Sequence, residues 1–146
     1  MIDIKTLSPD AKEARKKRIG DKTTVTARIS ETCRYVSFGI LAVFYTLHTS
    51  KEPFSTEIVS QSGAVLDLMA LGALLSVMSD YLQYYFAAKS IQHALDERDD
   101  QLFDQDRYDY KLREFFYRAK QVLMFAAAIL LLIAMARAFL LPATPP

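Results

Sequence analysis

The chain has no tryptophan and a single cysteine, Cys33, among 146 residues. One cysteine excludes an intramolecular disulfide framework and any zinc site built on several thiolates. Cys33 is left as a small packing residue. Histidine is nearly as scarce. His48 and His93 fall on opposite sides of a membrane by the charge rule applied below, so they cannot jointly hold a haem or a metal in one subunit. His93 stands near Asp96 and Glu97, where a solvated helix face is the expected setting. Glycine is too sparse for a Gly-rich phosphate loop, and no HExxH, nucleophile elbow or triad spacing occurs. No enzyme activity, catalytic residue, metal or cofactor is indicated. Residues 1–20 contain KEARKKR but no apolar stretch, so they are not a secretory signal. Membrane targeting is expected from internal spans.

What is present is strongly segregated. Half of the residues are hydrophobic, yet 24% are charged. Charges crowd into 1–34 and 89–120, and the apolar residues form three blocks. A soluble domain of this length would interleave the two. The expected fold is an all-α membrane protein with three transmembrane helices, cytoplasmic helical extensions and a homo-oligomeric assembly. Residues 1–34 form a basic N-terminal region, and 35–50 and 58–83 are the first two spans. A helical hairpin at 84–120 follows, and 121–141 is the third span.

Taken in order, Ser8-Pro9-Asp10 can start a short helix, with Ser8 as N-cap and Pro9 at its first position. Gly20-Asp21 would end it. A second helix would begin at 22–50, capped by Thr23, Thr24 or Thr26. Its uncharged part is short for ~30 Å of hydrocarbon at about 1.5 Å per residue, and snorkelling by Arg34 would lengthen it. In TSKEPFSTE, Pro53 breaks the helix and Ser55 or Thr56 can cap the next. So tight a connection makes the first two spans an antiparallel hairpin. No Gly or Pro occurs from Ala73 to Leu141, so the second span is expected to run on past Lys89 towards Leu95. The acidic stretch 96–109 should hold the turn into the last helix. It also offers carboxylates to the basic N-terminal cluster.

Glu57–Ser90 is the central stretch. On a helical wheel, Ser62, Met69, Gly72, Ala73, Ser76, Ser79, Asp80 and Gln83 gather on one side, within about 60° of Ser76 at ~100° per residue. Leucines, tyrosines and Asp67 occupy the other. Such a small, polar stripe either packs against another helix, as small-xxx-small surfaces do, or lines a water path. For a pore the lining would be Met69, Gly72, Ser76, Asp80 and Gln83, with Asp80 as a carboxylate ring at the inner mouth. In the other reading Asp80 simply reaches interfacial water. Asp67 matches Arg137 in depth and is opposite in sign, which predicts an ion pair locking span three against span two.

Topology follows from Lys and Arg. Residues 1–34 hold nine and 89–120 hold seven, against Lys51 and Arg137 alone elsewhere. The N-terminus and the 84–120 hairpin are therefore expected in the cytoplasm, and the 49–57 loop and C-terminus outside. The basic cluster Lys12, Arg15, Lys16, Lys17 and Arg18 serves either as a retention signal touching anionic headgroups or as a site for a phosphate-bearing ligand.

The arrangement at 22–100 resembles the SLATT family of bacterial membrane effectors. In that family a cytoplasmic helix enters a first span, as in TARISETCRYVSFGILAVFY. A short outer turn follows, as in TSKEPFSTE. The second span then leaves the membrane as a long helix, as in SDYLQYYFAAKSIQHALDERD. The likeness covers about half of the chain, and the third span departs from the basic two-span pattern. The resemblance implies a pore-forming ion channel effector of an anti-phage type defence system in the bacterial inner membrane, gated by a nucleotide or oligonucleotide made by a partner nucleotidyltransferase. It also implies that Lys12, Arg15, Lys16, Lys17, Arg18 and Arg28 bind that ligand, with Tyr108 and Tyr110 as stacking surfaces. A channel of three-span subunits must oligomerise; a tetramer in the lipid membrane is the expectation. The alternatives are a structural or adaptor subunit of a larger membrane complex and a proton-coupled transporter using Asp67 or Asp80.

Overall fold

The computed structural model describes residues 9–96 and 108–140. Among them are three α-helices and no strand: α1 (Pro9–Thr49), α2 (Pro53–Asp96) and α3 (Tyr108–Leu140). Residues 1–32 and 33–146 form two separate units.

In the first unit α1 does not stop at Gly20-Asp21, as the sequence suggested. An isolated glycine costs a helix only about 1 kcal/mol relative to alanine, and the flanking Lys, Arg, Glu and Ala residues are good helix formers. The threonines expected to cap a new helix at 22 are interior instead. The Thr24 hydroxyl donates back to the Gly20 carbonyl at 3.1 Å, the local bond that short hydroxyl side chains make inside helices. Pro9 opens the helix, where its missing N–H costs nothing. The proposed Ser8 cap lies outside the described residues.

The second unit begins with the remainder of α1, Cys33–Thr49. The chain turns through 50–52, where the Ser50 hydroxyl accepts from the Glu52 N–H at 3.2 Å. Helix α2 starts on Pro53 itself rather than on a cap at Ser55 or Thr56. Those residues lie in its first turn, and the Thr56 hydroxyl donates to the Glu52 carbonyl. Ser62 interrupts the helical backbone (φ −135°, ψ 18°). A Ser-Gly pair such as Ser62-Gly63 is a usual place for a kink. Beyond it α2 runs to Asp96, past the 58–83 expected for the second span. The turn expected at 96–109 falls largely outside the described residues.

Helices α2 and α3 are antiparallel. Phe54 meets Phe139 at one end, and Phe86 stacks on Phe116 at the other with nearly parallel rings. Midway, a Cβ added to Gly72 would lie 3.4 Å from Ala127 Cβ and 3.6 Å from the Leu123 carbonyl oxygen. Gly72 is one of the small residues at this α2–α3 contact. The core is Ile40 from α1, Ile58, Leu66, Met69 and Ala73 from α2, and Ala127 and Ala134 from α3.

The outward faces are apolar. Leu68, Leu71, Leu74 and Met78 on α2 and Val122, Phe125, Ile129 and Leu132 on α3 are all exposed. By length and composition α2 and α3 can each cross a membrane, and only 17% of the most apolar window of α3 is buried within the chain. A helix from a soluble core would hide most of such a window. In α1 the charge-free run 35–50 is only sixteen residues, short of the ~20 that a span needs.

Candidate functional site: a buried charge cluster

Each helix of the second unit contributes one ionised side chain to the end of the bundle remote from the 50–52 turn. Asp80 lies at the centre. Arg34 of α1 donates from Nε (3.1 Å) and Nη2 (2.8 Å) to Asp80 Oδ2. Lys120 of α3 donates from Nζ to Asp80 Oδ1 at 2.5 Å. Asp80 is 5% exposed and Lys120 is 0% exposed, whereas the Arg34 side chain is about two-fifths exposed. One carboxylate therefore serves two cations, and the cluster carries a formal net charge of plus one.

Local structure places these groups. Asp80 follows Ser76 by one turn on the same face of α2, and the Ser76 hydroxyl donates to the Lys120 backbone carbonyl at 2.9 Å. That bond fixes the register of α3, so that the Lys120 ammonium reaches Asp80. The Tyr84 ring centroid is 5.9 Å from both the Arg34 guanidinium carbon and Lys120 Nζ, and Tyr117 is 5.3 Å from Nζ. These ring faces add cation–π attraction in a partly desolvated setting. The hydrogen bond to Asp80 raises the Arg34 guanidinium further above its usual range, so it stays charged. Next to it, burial pushes the Cys33 thiol up; Lys120 opposes this and Asp80 adds to it. A thiol of that kind is a poor nucleophile.

The residues put forward as pore-lining all lie on this side of α2, and it faces the chain's own helices. Met69 is wholly buried, Gly72 abuts Ala127, and Ser76, Asp80 and Gln83 are buried. In this arrangement they line no water path. Asp80 is not an open carboxylate at a pore mouth either, because two cations occupy its oxygens. More polarity is buried than is paired: Ser37 Oγ, Ser62 Oγ and Gln83 Oε1 have no hydrogen-bond partner. Asp67 and Arg137 do not form the expected ion pair. Both are exposed, and no ion pair joins them, since each points out of the bundle rather than along the α2–α3 seam.

Of the proposed ligand-binding residues, Lys17 and Arg28 are exposed on α1. The side chains of Lys12, Arg15, Lys16, Arg18 and His93 lie outside the described residues. Tyr108 is exposed at the start of α3, and Tyr110 packs its ring 4.7 Å from the Arg113 guanidinium carbon. Among the described residues no group of three or more His, Cys, Asp or Glu could hold a metal.

Sequence reasoning treated Arg34 as a snorkelling flank and Lys120 as a marker of membrane approach. It missed that both converge on Asp80. The available signal was positional. Once α1–α2 and α2–α3 are antiparallel, the last charge before each apolar block must lie level with the others. Comparison with known proteins finds no matching family model, curated relative or solved structure.

Proposed function

We propose that the chain is a multi-pass protein of the bacterial inner membrane, with three spans and the N-terminus and 84–120 segment in the cytoplasm. It assembles as a homo-oligomer and acts as a gated, pore-forming effector. The observation that carries this reading is the polar face of α2, buried with a three-way charge cluster and with hydroxyl and amide oxygens left unpaired. A plain anchor has no use for buried polarity, which is costly in a span and usually marks a working site. The Arg34–Asp80–Lys120 cluster is then the latch that holds this face against α1 and α3. Ligand binding would favour an open state by differential affinity. The SLATT-like arrangement supplies the setting: a defence system whose nucleotide or oligonucleotide signal binds the basic 1–34 segment.

The test is electrical. Purified full-length protein in a planar bilayer should pass little current, and Asp80→Asn should raise the open probability at least tenfold. Gln83→Leu in that background should alter the unitary conductance. In growing cells Asp80→Asn should depolarise the membrane. Bilayers that stay silent with both proteins would rule the pore out.

A second reading has its own support. Because the polar face of α2 closes on the chain's own helices, the chain also suits a structural or adaptor subunit of a larger membrane complex. Silent bilayers together with co-purification of a stoichiometric partner would favour it.

A further inference from the structure

We infer that a second copy of this chain packs its α3 face around Arg137 against the α2 face around Asp67, so that subunits join head to tail through an inter-subunit Asp67–Arg137 pair. The inference rests on the membrane reading above and names the interface of the proposed oligomer.

Asp67 is exposed in the chain, and so are its neighbours Ala64, Leu68 and Leu71. Asp80 sits thirteen residues from Asp67, about 20 Å along a helix at ~1.5 Å per residue. With the Asp80 cluster at one interface, the Asp67 carboxylate lies well inside the hydrocarbon. A charge there does not face lipid; it faces protein, water or a counter-charge. Among the described residues nothing covers it, and the polar interior of the bundle is on the far side of α2.

Arg137 supplies the complement. It too is exposed, on the outward face of α3 that carries exposed Ile129, Ile133 and Leu140. Depth can be read from the register of α2 and α3. Asp80 lies beside Lys120 and Gly72 beside Ala127, which puts Asp67 level with Leu132. Arg137 is five residues beyond Leu132, about 7.5 Å further along the axis at ~1.5 Å per residue. The side chains narrow that gap, because helical Cα–Cβ bonds tilt towards the N-terminus. Antiparallel helices therefore tilt Asp67 and Arg137 towards each other's level. Arginine is long enough to cover the rest. Ala64, one turn from Asp67, allows a neighbouring helix to come close.

Since the two patches lie on different helices, the contact is heterologous: each subunit offers Asp67 to one neighbour and Arg137 to the other. Repeated in one membrane plane, such a contact closes into a ring or continues as a chain.

Native mass spectrometry of the full chain, extracted in mild detergent, tests this. Wild type should be oligomeric. Asp67→Asn and Arg137→Gln should each shift it to monomer, raising the dissociation constant at least tenfold. The exchange Asp67→Arg with Arg137→Asp should restore the oligomer. Both sites are exposed, so circular dichroism melting of the single variants should match wild type in a monomer-forming detergent. A monomeric wild type, or an oligomer indifferent to both single changes, or a failed exchange, overturns the interface. Carbonate washing separates this from the membrane reading. If wild-type chain leaves the membrane pellet, both fall; if it stays while the exchange fails, only the interface does.

Discussion

Asp80 makes the largest difference to the folded bundle, because its carboxylate is ion-paired to Lys120 and Lys120 is fully enclosed. Removing the acid takes the carboxylate from a buried ammonium, whereas removing the ammonium leaves Asp80 still paired to Arg34. Loss of one partner of a buried pair costs about 3–5 kcal/mol. Asp80→Asn should therefore approach that loss, Lys120→Met should lose clearly less, and the double variant should recover part of it. A double-mutant cycle in detergent melts should give a coupling of about 1–3 kcal/mol. Additive effects would show that the two groups do not act together. Cys33 makes a second prediction at this scale. Burial holds its thiol above the usual range, so the thiolate fraction at neutral pH is small. Its reaction with a water-soluble maleimide should be at least tenfold slower than that of a free thiol and should accelerate on unfolding; labelling at the rate of a free thiol contradicts the burial.

At the scale of the element, α2 shows how one helix serves two surroundings. Its stripe of small residues faces α1 and α3, and its leucines and Met78 face outward. Gly72 lies on the α2–α3 seam. One added methyl would reach ordinary contact distance from Ala127, so Gly72→Ala should be neutral or slightly stabilising. Gly72→Leu would drive a branched chain into the Leu123 carbonyl and Ala127, and overpacking of that kind costs about 1–3 kcal/mol. Thermal melts of the two variants should move apart; equal melting temperatures would mean that the helices do not meet at Gly72. The kink at Ser62 sits in the same helix, with a buried hydroxyl that has no partner.

For the whole molecule, the membrane reading demands a particular sidedness. Sixteen of the eighteen basic residues lie in 1–34 and 89–120, a bias that on this reading would hold those segments in the cytoplasm. Reporter fusions should show the N-terminus inside and the C-terminus outside. A C-terminus found inside would mean that α1 does not cross, leaving two spans. The first helix is the one to watch, since its charge-free run of sixteen residues spans ~24 Å at about 1.5 Å per residue, and Arg34 is held at Asp80 rather than left to snorkel.

The sequence by itself determined the helical class, the three apolar blocks, the tight 50–52 turn and the stripe on α2. Each of these follows from local periodicity and composition, which act over a few turns of one helix. The same local rules misplaced a break at Gly20, because a single glycine weakens a long helix without ending it. Tertiary structure alone decided what the stripe does. Asp80 meets Arg34 and Lys120 across 46 and 40 residues of sequence, and such meetings depend on how three helices are rotated and registered. Those rotations also turned Asp67 and Arg137 outward. Charges of opposite sign at similar depth can attract only if both helices present them to the same space, and no single helical wheel contains that information.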